Sequence, residues 1–147
     1  MRSLIALLLS ITIFGSALAA DYSDPDVAIK ARQDQFEDIK ASFKQLRFEI
    51  IQKELNVKKA AQYSNELALL SQPLLEMFRV RSHTGKTKAL DRIWDNWPRF
   101  EKQMLEFQSL TEKVAESLKY ANQEDARMYV DQAAKTCKRC HRLFKAR

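Results

Sequence analysis

The chain has 147 residues with 25 basic and 19 acidic side chains, a formal net charge of +6, and 46% apolar residues. That length suits one domain around one hydrophobic core, and a total of two glycines and three prolines argues against hairpin-rich β-structure, which needs frequent turn residues. Read segment by segment, basic and acidic residues alternate, which excludes a nucleic-acid footprint and leaves a mildly basic surface that suits an acidic partner or simple solubility.

In chain order, the first element is a leader. Met1-Arg2-Ser3 supplies a positive start, Leu4 to Phe14 is almost wholly apolar, and Gly15-Ser16-Ala17-Leu18-Ala19 brings small residues before a cut. This is the layout of a secretory signal peptide spanning residues 1–19. Its apolar run is too short to cross a bilayer as a retained anchor. The expectation is therefore an exported, periplasmic domain of residues 20–147 with no membrane attachment after cleavage.

Four helical segments follow. Asp24 is an N-cap with Pro25 at the first helical position. Ile29, Phe36, Phe43 and Ile50 recur every seventh residue, interleaved with Ile39 and Leu46, a heptad-like stripe suited to a left-handed bundle. Extending the interleaved series backwards places Arg32, a charged residue, on the inward face. The second helix is predicted over Val57 to Phe78, with Ala60, Tyr63, Leu67, Leu70, Leu74 and Met77 on one face and Pro73 kinking or ending it. Arg81 to Leu90, with Gly85, reads as the longest loop. A third helix starts near Asp91 or Pro98 and runs through Phe100, Met104, Phe107, Thr111, Val114 and Leu118. Asn122 and Asp125 form the N-terminal signature of a fourth, which carries Val130, Ala133, Cys137, Cys140 and Phe144. The fold class is all-α, an antiparallel four-helix bundle, an architecture that often holds a cofactor between its helices.

The chemistry is concentrated in the last helix. Cys137-Lys138-Arg139-Cys140-His141 is C-x-x-C-H, the attachment signature of haem c. Cysteines one helical turn apart present both sulfurs to the same side, where they can form thioethers with two vinyl groups. His141, four residues after Cys137, offers an imidazole to iron from that side. Three other readings compete. Zinc would need further ligands, and the only other histidine is His83. A redox C-x-x-C pair normally opens a helix beside a strand. A disulfide between these two positions fits a continuous helix poorly.

Ala28-Ile29-Lys30-Ala31-Arg32-Gln33 in the first helix, Ile93-Trp94 and Phe100 around the third, and Lys135 to Lys145 around the motif together make a chain that resembles the cytochrome c′ family and its cytochrome c-556 relatives. The resemblance covers essentially the whole exported part. It implies a left-handed four-helix bundle with one covalently bound haem c, often a homodimer joined through its first two helices. It places Arg32 and Gln33 on the propionate side of the haem; a surface ion pair is the plainer account of Arg32. In the c-556 relatives the residue three after that glutamine is an iron-ligating methionine, and in cytochrome c′ it is apolar. Here it is Phe36, which cannot ligate, although core packing alone would also explain an aromatic ring there. The basic residue four after the haem histidine, on the proximal side, is Lys145, which keeps the charge of the family's frequent arginine without its planar fork.

The resemblance thus implies a periplasmic monohaem cytochrome with His141 as the axial iron ligand and a five-coordinate, high-spin iron. It would bind nitric oxide and carbon monoxide and shuttle electrons to a redox partner protein. The alternative is a six-coordinate, low-spin electron carrier of the c-556 type. No acid–base pair supports an enzyme. Phe48, Ile51 and Leu55 lie off the main stripe, where they would either form a dimer patch or cover the haem edge, and His83 is expected to be a solvated loop residue.

Overall fold

The computed structural model describes residues 21–147, so the expected signal peptide lies outside the described residues. Asp24 opens α1 (Pro25–Ile51), its carboxylate accepting from the backbone N–H groups of Asp26 and Val27. Pro25 sits where the missing N–H would have no helical partner anyway. α2 (Val57–Ser71) begins at Asn56, whose side chain accepts from the Lys59 N–H at 3.1 Å.

Pro73 stops α2 as expected, and the chain goes on in two 3-10 turns, Gln72–Leu74 and Glu76–Phe78. Ending a helix frees carbonyls that must find donors. The Gln108 carboxamide supplies them, donating to the carbonyls of Ser71 and Gln72 at 2.8 and 3.0 Å. Ser71 Oγ also lies 3.0 Å from Thr111 Oγ1. The turns swing Met77 and Phe78 into the core.

After the loop, α3 (Arg92–Asp95) is a single turn that leads into α4 (Trp97–Lys119), with Pro98 in its first turn. The connection to α5 (Gln123–Phe144) is tight. Ala121 takes a positive φ of 53°, and the N–H groups of Ala121 and Asn122 donate to the carbonyls of Leu118 and Ser117, the double closure of a Schellman motif. Asn122 then caps α5 by accepting from the Asp125 N–H at 3.1 Å.

α1 packs on α2, α2 on α4, α4 on α5, and α1 also meets α5, which is the predicted antiparallel four-helix bundle. Leu46, Leu67, Leu74, Ile93, Phe100, Val114 and Leu118 are almost wholly buried, each contributing about 2 kcal/mol relative to exposure. Along the α1 stripe, Ile29, Ile39, Leu46 and Ile50 are buried, while Phe36 and Phe43 lie half-buried at its margin. Phe48 and Ile51 face outward, 58% and 70% exposed. Leu55 instead packs against the core and leaves the apolar surface patch to those two.

Candidate functional site

Cys137 and Cys140 stand one turn apart on α5, unpaired, half-buried and packed against the core. They share a stripe with the buried Ala133 and Phe144. Burial pushes the Cys137 thiol up, and burial together with the charge of Cys137 takes Cys140 to about 11. Both thiols are neutral at physiological pH, so neither is the low-pKa nucleophile of a redox pair. Among the described residues no group of three His, Cys, Asp or Glu is placed to hold a metal ion, so a zinc site lacks its ligand set.

His141 follows in the last turn of α5, packed along part of its ring and open to solvent along the rest. Burial, and then the positive charge of Lys145, hold its imidazole below the usual histidine range. A neutral ring keeps a nitrogen lone pair available to a metal. Lys145 is the C-cap residue of α5, and its backbone N–H donates to the His141 carbonyl at 3.2 Å.

Across the bundle, Arg32 is only 2% exposed. Its guanidinium donates to the hydroxyl and the carbonyl of Ser82 and to Thr87 Oγ1. It also lies over the rings of Phe78 and Trp94, 4.9 and 5.9 Å from their centroids. Burial lowers its pKa to about 10, so it remains charged at pH 7, and no carboxylate pairs with it among the described residues. A surface ion pair, the plainer sequence-based account, is therefore not what this residue makes. A buried cation with only neutral partners is costly, and an anionic group of a bound molecule would complete it.

Gln33, one residue on, is exposed and donates to the Lys86 carbonyl at 2.6 Å. Both side chains thus hold the 79–90 loop. The far end of that loop is tied to the chain terminus: the Leu90 N–H donates to the Phe144 carbonyl and the Ala146 N–H to the Lys88 carbonyl, around an isolated bridge between Ala89 and Lys145.

Phe36 meets Phe78 edge-on at 6.3 Å, Phe78 meets Phe100 at 4.8 Å, and Phe100 meets Phe144 at 5.3 Å. This aromatic column runs from α1 to α5 and connects the Arg32–Phe36 side to the helix that bears the cysteines. Trp94 braces it by donating from Nε1 to the Phe78 carbonyl at 2.8 Å. His83 is half-buried beside Trp94, with Nδ1 3.3 Å from an Asp91 carboxylate oxygen, so it is not the freely solvated residue expected. Sequence periodicity pointed to Arg32 but missed its partners Ser82, Thr87 and Phe78. The first two lie in a loop and the third in a 3-10 turn, where no helical repeat reports direction.

The donor set fits a covalently attached haem. It offers two neutral thiols one turn apart, an adjacent neutral imidazole, and a buried cation in need of an anion. A sequence profile described as cytochrome c′ matches residues 27–145. Among solved structures, the chain is similar to cytochrome c prime from Shewanella frigidimarina, with 26% identity and a TM-score of 0.81 over 86% of this chain and 100% of that one. Cytochrome c′ from Rubrivivax gelatinosus gives 24% identity and a TM-score of 0.80 over the same shares. A ferrous, NO-bound variant of the protein from Alcaligenes xylosoxidans gives 20% identity and 0.78 over 86% of this chain and 99% of that one. A search of curated protein sequences finds no match.

Proposed function

This chain belongs to the cytochrome c′ family, with one haem c attached through its C-x-x-C-H cysteines, and we propose that it works in the periplasm as a five-coordinate gas-binding cytochrome that also passes electrons. Bound here, the haem supplies an iron that exchanges one electron and takes up diatomic ligands. His141 would hold the iron through its neutral imidazole, with Lys145 setting the charge beside that ring. Arg32 would receive a propionate, and Gln33 holds the loop that also carries the Arg32 partners Ser82 and Thr87.

The observation that carries this reading is Phe36. It stands one turn beyond Arg32 on α1, in contact with the aromatic column, and has no atom that can ligate iron. The methionines of the described residues are Met77, Met104 and Met128, none of them on α1, so the six-coordinate alternative lacks its family ligand. A ring without a hydrogen-bond donor gives a polar diatomic no support and restricts entry, which favours nitric oxide and carbon monoxide over dioxygen. The nitric oxide complexes of the Alcaligenes relatives agree with that preference. The exposed Phe48 and Ile51 support the homodimer. The leader, residues 1–19, supports export.

Absorption spectra of the reduced protein with and without carbon monoxide test the proposal. A high-spin spectrum that changes on adding the gas is expected. A sharp low-spin α-band indifferent to carbon monoxide would sink it. Phe36→Ala should raise carbon monoxide affinity by about tenfold or more, the equivalent of about 1.4 kcal/mol of relieved crowding.

A further inference from the structure

Basic and acidic residues do not alternate to the end of the chain. The last acidic residue is Asp131, and after it come Lys135, Lys138, Arg139, Arg142, Lys145 and Arg147. These six equal the net charge of +6 of the full chain; everything up to Asp131 balances to zero with Arg2 of the leader counted, and to −1 without it. The segment that bears Cys137, Cys140 and His141 therefore holds the whole charge asymmetry of the protein.

The fold concentrates this charge further. Lys138 and Arg142 are four apart on the exposed face of α5, interleaved with the attachment motif. Only Arg139 has an acidic partner among the described residues, Glu106. The backbone pairing of residues 88–90 with 144–146 brings Lys88 to the same end of the bundle. None of the large exposed apolar side chains (Val27, Phe48, Ile51, Val57, Leu69, Leu105, Tyr120 and Met128) belongs to the 132–147 segment. A bilayer-binding surface would need such an anchor beside its basic residues, and a single-stranded nucleic-acid surface would need exposed rings for stacking.

We infer that this face is the docking surface for the acidic side of a one-electron carrier protein, seated over the haem attachment edge. The inference rests on the electron-passing part of the proposed function and names where the partner binds and what charge it bears. One electron passes from the partner's reduced cofactor to the ferric iron. The partner is oxidised by one electron, the iron is reduced by one, and no bond forms or breaks. Complementary charge would steer the encounter and hold the two redox centres close.

Stopped-flow reduction of the ferric holoprotein tests the inference, with a reduced acidic flavodoxin as the protein probe and hexaammineruthenium(II) as a small cationic one. The protein is compared with Lys138→Glu/Arg142→Glu and with Lys53→Glu/Lys58→Glu, which changes net charge equally at the far end of the bundle. At low ionic strength the α5 variant should lose about tenfold or more in rate with flavodoxin and gain with the ruthenium complex. The distal variant should change by less than about threefold, and the differences should vanish near 1 M salt, where screening acts within a few ångströms. The neutral pair Lys138→Gln/Arg142→Gln should fall between, and an unchanged haem spectrum shows that each variant is folded. Equal losses in both charge-reversed variants would overturn the inference, as would tight binding of the wild type to anionic phosphatidylglycerol vesicles at physiological salt. Absence of a haem spectrum would instead refute the cofactor assignment, so the two failures are distinguishable.

Discussion

Arg32 is set inward by the helical repeat of α1, yet the described residues give it only a serine, a threonine and two aromatic faces. Such a position is stable when an anion completes it. Arg32→Leu should therefore destabilise the holoprotein by about 3 kcal/mol, the usual loss when one member of a buried ion pair is removed. Urea unfolding of the haem-loaded variant checks this, and an unchanged midpoint would detach Arg32 from the propionate. The neutral thiols tell a similar story at residue scale. Cys137 and Cys140 are raised by burial, an environment suited to holding a bulky apolar group rather than to disulfide exchange.

Element boundaries follow local chemistry throughout: Asp24 with Pro25, Asn56, Pro73 and Asn122 each act where sequence rules place them. The turn between α4 and α5 is the exception. Its left-handed position is filled by Ala121 with φ 53°, where a Cβ is strained and glycine is not. Ala121→Gly should raise stability by about 0.5–1 kcal/mol without altering the haem spectrum, as thermal unfolding would show; a loss of stability would mean that the turn carries no strain. The stop at Pro73 has a different consequence. Gln108 satisfies the carbonyls it frees, and this fixes the turn that delivers Phe78 beneath both Arg32 and Phe36. The break in α2 is thus part of how the site is built.

At the scale of the whole molecule, two surfaces stand out at different places on the bundle. The basic segment after Asp131 surrounds the cofactor attachment, while Phe48 and Ile51 lie exposed near the C-terminal end of α1. If the second surface joins two copies, Phe48→Lys/Ile51→Lys should convert a dimer to a monomer in sedimentation velocity with the haem spectrum intact. A wild-type monomer at tens of micromolar would remove that role from the patch. The separation lets association and electron transfer be tested independently, because sites this far apart without shared partners perturb one another little.

The sequence by itself determined the helices, their order and the attachment motif, because each depends on short-range physics: caps, a proline, a heptad stripe, and cysteines one turn apart. It also determined that Arg32 points inward, since a helical repeat carries direction. Only the tertiary structure decided what Arg32 meets, because Ser82, Thr87 and Phe78 reach it through segments without helical periodicity. It likewise turned His83 from a solvated residue into a half-buried neighbour of Trp94, and packed Leu55 against the core while Ile51 stays exposed. The charge asymmetry could be counted from the sequence. That Lys88 joins it at the same end of the bundle depends on backbone bonds between the 88–90 loop and the chain terminus, contacts between distant residues that no local pattern encodes.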